Sequence, residues 1–292
     1  MKITPFNTTL IFLYLAGFTV LAIAIFYGYS YYMLPLVERP YAQLHFLFKP
    51  GGNIGHGLGI VGSIMLLLLF LYSARKRELF GLRFGQMRNW LNIHIFFGIC
   101  GPLLITLHTS FKFNGIVSIS YYAMIAVALS GILGRYVYMQ IPRTVAGEAL
   151  TREQITQLDR HLTKKLIEQF ELSPALFQDI LAISGTRSAT KRHAIAVLFV
   201  TLFHDVKRPF LFRKLKKNLR ARNMHLSPRA FKTLLFLAKQ KSLLLRKQTF
   251  IDAMNEIFHY WHVIHRPFAY VMIIIMFIHI AVAVAFGYRW LF

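Results

Sequence analysis

Residues 90–112 read WLNIHIFFGICGPLLITLHTSFK, an apolar run that carries His94 and His108 and no carboxylate. Residues 262–290 read HVIHRPFAYVMIIIMFIHIAVAVAFGYRW, and His265 and His279 repeat the same interval of 14 positions. That interval is close to four helical turns, so the histidines of each pair share a helix face, about 21 Å apart along the axis. A separation of that size fits inside a hydrocarbon core of roughly 30 Å, with one histidine toward each side. Two such helices side by side offer two opposed imidazole pairs at two depths. The expected fold is all-α: a polytopic membrane helix bundle of five transmembrane helices, with a helical cytoplasmic insertion between the fourth and fifth.

Composition agrees with that frame. The chain has 292 residues, is 56% hydrophobic and has a mean hydropathy of +0.49. With several apolar runs of spanning length, these values exclude an ordinary soluble globule. A formal charge of +23 would ordinarily suggest nucleic acid. The basic residues instead cluster between and beside the apolar runs, as cytoplasmic membrane-proximal segments do, so no nucleic-acid partner is expected. Cys100 is the only cysteine. It excludes an internal disulfide, a four-cysteine cluster and covalent c-type haem attachment, so any metal cofactor must rely on histidine. The N-terminal apolar run exceeds the length of a signal-peptide core and is read as a retained helix.

In chain order, the helices are expected over Thr9–Met33, Ile54–Ser73, Trp90–Lys112, Val117–Met139 and Trp261–Tyr288. The domain reading is 1–139 for the first four helices, 140–258 for the basic insertion and 259–292 for the fifth helix and C-terminus. The short basic loop Arg75–Arg88 orients the bundle by the positive-inside rule. The third and fifth helices then run the same way. His94 and His265 fall at the cytoplasmic level, and His108 and His279 at the outer level. In the insertion, Thr151 with Gln154 resembles a capping box. Ser173-Pro174 and Ser227-Pro228 are N-cap and first-turn pairs. The run Ala194–Phe203 is too short to span and is expected to pack within the insertion or lie on the bilayer surface. The stretch from Pro228 is expected to continue into the fifth helix.

The paired histidines suit b-type haem iron, which accepts neutral imidazole from both faces. Gly98 and Gly101 lie on the line between His94 and His108, where they would let a flat macrocycle approach the backbone. Ala269, Met272 and Met276 hold the matching face of the fifth helix. The competing reading is ordinary small-residue helix packing. His56, in NIGHGLGIVGS, is a candidate partner for a haem propionate, part of a quinone pocket or a replacement ligand. The string GLGIVG matches a dinucleotide fingerprint in letters only, because it follows no strand. Its glycines are expected to serve close packing on a helix or haem. Arg135 and Arg143 are candidates for an inner propionate, against snorkelling to the interface. His262 is the rival inner ligand, and His259 and His45 are read as interfacial and loop-borne. His161, His193, His204 and His225 are surface or core residues. The basic insertion is expected to contact anionic headgroups, or to dock an acidic redox partner.

These features resemble a known group. The two H-x13-H helices, GRYVYMQIPR at the end of the fourth helix and WHVIHRPFAY at the start of the fifth look like the di-haem membrane cytochromes b. This is the broad cytochrome b561 and ferric-reductase-like transmembrane class, and the resemblance covers about Ile54–Tyr138 plus the fifth helix. It implies two haem b groups held by His94, His108, His265 and His279, and electron relay across the bilayer. No flavin–nicotinamide module is read in the insertion or after the fifth helix. The expectation is therefore one subunit of an oxidoreductase complex rather than a complete enzyme. An iron–sulfur or flavin subunit would stand on the cytoplasmic side, and a c-type cytochrome or other acceptor on the outer side. The expected location is a bacterial inner membrane. The alternatives are a quinol-oxidising or quinone-reducing respiratory subunit, and a transporter or membrane anchor without haem.

Overall fold

The computed structural model describes residues 5–142, 150–170, 172, 174–184, 193–221 and 226–287. Among them the secondary structure is helical throughout. The principal helices are α1 (Pro5–Met33), α2 (His45–Phe48), α3 (Asn53–Lys76), α4 (Met87–His108) and α5 (Ile116–Gln140). They are followed by α6 (Arg152–Glu168), α7 (Pro174–Ala182), α8 (Ala194–Ala221) and α9 (Pro228–Ala285). Arg143, Ser173, His225 and the expected end of the last helix at Tyr288 lie outside the described residues. The chain forms two compact units, Met1–Leu133 with Val263–Phe292, and Gly134–His262.

Five described helices, α1, α3 with α2, α4, α5 and α9, are long and apolar enough to cross a bilayer. The shortest, α4, has 22 residues, about 33 Å at the helical rise and enough for a hydrocarbon core of roughly 30 Å. These helices expose large apolar side chains that a water-soluble surface would hide. Phe12 is 68% exposed, Leu129 62% and Ile274 59%. Apolar surface on this scale on three separate helices fits lipid as the solvent, and the chain is an integral membrane protein.

Glycines let α3 and α4 pack as the most extensive helix pair in the first unit. A Cβ on Gly62 would stand 2.9 Å from Ile105, and one on Gly101 3.3 Å from Met65 and Leu66. Small residues at such a seam let backbones approach, which is how membrane helices gain packing energy. The α9 face bearing Met272 and Met276 packs with Leu66 of α3 and with Ala123 and Met124 of α5. Ser120 donates to the Met272 carbonyl at 2.8 Å.

The α4 helix stops four residues earlier than the sequence suggests. Ser110 and Phe111 take positive φ values of 47° and 59°, so the chain turns out of the helix and His108 becomes its last residue. Buried Arg39 holds this end. It donates to the carbonyls of Leu34 at 2.9 Å and Tyr32 at 2.7 Å, and also to that of Ser110. A guanidinium at the C-terminal ends of α1 and α4 meets the negative ends of both helix dipoles.

The second unit has its own core, built from Ile155, Leu166, Ile180, Leu219 and Leu234, all nearly fully buried. Thr151 and Gln154 form the expected reciprocal capping box. Ser227 caps α9 through its Oγ, which accepts from the Ala230 amide at 3.2 Å. As anticipated, α9 runs unbroken for 58 residues. Within α8, Val197, Leu198 and Thr201 are buried while Ile195, Phe199 and Phe203 are exposed. The short apolar run therefore packs on one side and leaves an apolar row on the other.

Candidate functional site

Three histidines gather at one end of the first unit. His108 ends α4, His279 lies on α9, and His56 opens α3. The His108 and His279 rings are neighbours, with centroids 6.4 Å apart and planes inclined by 60°. His56 stands within electrostatic range of both. His108 Nδ1 lies 2.8 Å from the Gly55 carbonyl, so Nδ1 is the protonated nitrogen and Nε2 keeps its lone pair. Gly59 makes room for the ring: a Cβ there would stand 2.6 Å from His108 Nδ1. Gly59 and Gly62, three positions apart on α3, face α4, whereas Gly55 faces the Phe48–Lys49 backbone.

His94 and His265 are anchored in the same manner, each on its own neighbour. His94 Nδ1 lies 3.2 Å from the Leu69 carbonyl of α3, and its ring stacks obliquely on Tyr72 at 5.1 Å. His265 Nδ1 lies 2.7 Å from Ser130 Oγ of α5, and that hydroxyl donates to the Val127 carbonyl. An Oγ that donates elsewhere accepts from Nδ1–H, which again leaves Nε2 as the lone-pair nitrogen. A second hydrogen bond of this kind fixes tautomer and ring orientation in metal-ligating histidines.

The donor set suits one kind of metal site. Among the described residues no three His, Cys, Asp or Glu side chains converge to hold an ion. Paired imidazoles are what a haem iron needs from its protein, because the macrocycle supplies the other ligands. The 6.4 Å between the His108 and His279 rings leaves room for a metal–nitrogen bond of about 2 Å on each side. The residues of the His108–His279 pair fit the group.

The remaining candidates fall elsewhere. Gly98 and Gly101 turn toward α3, with Leu69 3.8 Å from a Cβ on Gly98, so the α4 glycines serve the α3 seam. His45 lies 3.1 Å from the Tyr31 hydroxyl. Arg135 belongs to the second unit, where its guanidinium lies 5.6 Å from the Tyr138 ring. His262 Nδ1 donates to the Phe258 carbonyl at 2.8 Å, also within the second unit.

Sequence reading missed the anchors. Gly55, Leu69 and Ser130 hold three of the four histidines, two of them through main-chain carbonyls that carry no residue signature. Ser130 was the one legible signal, a hydroxyl within the apolar run of α5. In the GRYVYMQIPR stretch, the Tyr136 and Gln140 side chains make polar contacts. Tyr136 Oη donates to Asp205 at 2.7 Å, and the Gln140 amide oxygen accepts from Arg246 at 3.1 Å. No family model, curated protein or solved structure matches the chain.

Proposed function

We propose that the chain is a membrane di-haem cytochrome b subunit that relays electrons across a bilayer. The observation that carries this reading is the closeness of the His108 and His279 rings, 6.4 Å between centroids, with His108 Nδ1 tied to the Gly55 carbonyl. In this reading His108 and His279 hold one haem b, and His94 and His265 the other. A bound b-type haem supplies reversible one-electron chemistry at its iron.

The chain's own residues bind and orient. The Gly55 and Leu69 carbonyls and the Ser130 hydroxyl hold Nδ1 of His108, His94 and His265 protonated, so that Nε2 of these three would be the nitrogen that binds iron. The apolar packing of Leu66, Met124, Met272 and Met276 excludes water. The chain then has five transmembrane spans, with the basic Gly134–His262 unit as a cytoplasmic insertion by the positive-inside rule. That basic unit suits an acidic redox partner and anionic headgroups. The setting is a bacterial inner membrane with donor and acceptor on other subunits.

The test is the reduced-minus-oxidised spectrum of the purified chain, with haem counted per polypeptide. Two b-type haems are expected. His108→Ala or His279→Ala should each remove the same one, and His94→Ala or His265→Ala the other. A purified, folded chain without a b-type band ends the reading.

A further inference from the structure

We propose that the cleft between α8 and α9 in the Gly134–His262 unit binds a phosphate-bearing amphiphile, an anion joined to an apolar body. The cavity has a volume of about 510 Å³, in the range of small-molecule sites. Arg208, Arg213, Lys216 and Lys239 line it, and Phe212 and Phe236 supply apolar wall. Asp205 is the one acid on the lining, and it is engaged elsewhere. Arg246 donates to its Oδ1 at 2.6 Å and Tyr136 to its Oδ2 at 2.7 Å. None of the four lining cations forms an ion pair among the described residues.

Arg208 carries the argument furthest. One of its terminal nitrogens donates to Ser242 Oγ at 3.1 Å, and its guanidinium lies 5.4 Å from the Phe212 ring. Its Nε is buried and has no hydrogen-bond partner. A buried unpaired donor on a cation is costly, and a charged acceptor is its strongest remedy. Burial and the like charge of Arg246, only partly offset by Asp205, pull the Arg208 guanidinium down to about 10. Phosphate offers several acceptor oxygens and two units of charge to a cluster of this kind, and the phenylalanines favour an apolar group beside it.

The phosphate could be a lipid headgroup or a soluble ester, and the test separates the two. Native mass spectrometry of the full chain in neutral detergent would be run with lysophosphatidate, lysophosphatidylcholine, phenyl phosphate and inorganic phosphate in turn. One retained copy of lysophosphatidate without phenyl phosphate identifies a lipid source. Phenyl phosphate alone identifies a soluble one, and retention of both leaves the shared chemistry as the specificity. Lysophosphatidylcholine should bind about tenfold more weakly, since its choline cancels the charge. The double variant Lys216→Gln/Lys239→Gln should weaken retention by about tenfold or more, the loss expected for charge-assisted bonds, with an unchanged unfolding temperature. Lys164→Gln/Lys165→Gln on α6 should leave retention unchanged. Retention of inorganic phosphate alone, of lysophosphatidylcholine equally, or of none of the probes overturns the proposal. So does equal weakening in the α6 control.

Discussion

His108 in the first unit and Arg246 in the second both carry polar atoms out of water, and they are satisfied by different means. His108 meets a backbone carbonyl, Gly55, at 2.8 Å. Arg246 meets the Asp205 carboxylate at 2.6 Å and the Gln140 amide at 3.1 Å. Nearby in sequence, Lys241 meets Asp159 at 2.5 Å and Thr163 at 2.8 Å. Neutral imidazole on a carbonyl costs little to bury and keeps a lone pair for a metal. Breaking a buried ion pair is costly, because removing one partner leaves the other unsolvated. The first unit is thus arranged to keep nitrogen available, whereas the second pairs Arg246 and Lys241 and leaves the cations around Arg208 without ion pairs among the described residues.

The comparison can be broken hardest in the second unit. Asp205→Asn strips Arg246 of its counter-charge and should destabilise that unit by about 3 kcal/mol or more, read by denaturant unfolding of the helical signal. The same variant sharpens the pH behaviour. Burial raises the Asp205 carboxyl, but hydrogen bonds from Tyr136 and Arg246 and the nearby guanidinium charges outweigh it and hold the group below its ordinary value. A carboxyl depressed by folding contributes stability that is complete above its unfolded value of about 3.9 and is lost as pH falls through the lower folded value. Unfolding monitored from pH 6 downward should therefore lose an acid-dependent limb in Asp205→Asn that the parent protein retains.

Next in size is the glycine seam. Gly59→Val places its Cβ 2.6 Å from His108 Nδ1 and should cost about 1–3 kcal/mol through overpacking. Under the proposed di-haem reading it should also lower the content of the haem assigned to His108 and His279 while leaving that assigned to His94 and His265 in place. Spectra in which both haems persist at full occupancy would separate the seam from the site. Ser130→Ala removes the His265 anchor and should cost about 1 kcal/mol, with a change in the haem spectrum rather than its loss. The smallest effect is expected at Arg152–Asp252, paired at 2.9 Å but with both side chains more than three-quarters exposed. Arg152→Ala should shift stability by less than about 1 kcal/mol, because water screens such pairs.

Legibility followed the same division. The apolar runs, the capping box at Thr151 and the continuation of α9 from Pro228 were readable because each depends on local composition and spacing. The end of α4 was not, since it depends on Ser110 and Phe111 leaving the helix beneath Arg39, whose partners lie up to 71 positions away. Gly98 and Gly101 were read toward a macrocycle on spacing alone. Their neighbours on α3 belong to another part of the chain, and spacing within one helix cannot identify them. The polar network of Tyr136, Gln140, Asp205 and Arg246 joins three helices and leaves no local pattern.

By itself the sequence determined that His94 and His108, and likewise His265 and His279, share a face, because 14 positions nearly complete whole turns of a helix. It also determined that these helices prefer lipid, because hydropathy is a property of composition. Only the tertiary structure decided which way each ring turns. That choice rests on the Gly55, Leu69 and Ser130 acceptors and on the closeness of α3 to α4. A helix fixes the bearing of its side chains about its own axis, but its rotation against a neighbour is set by packing between distant segments.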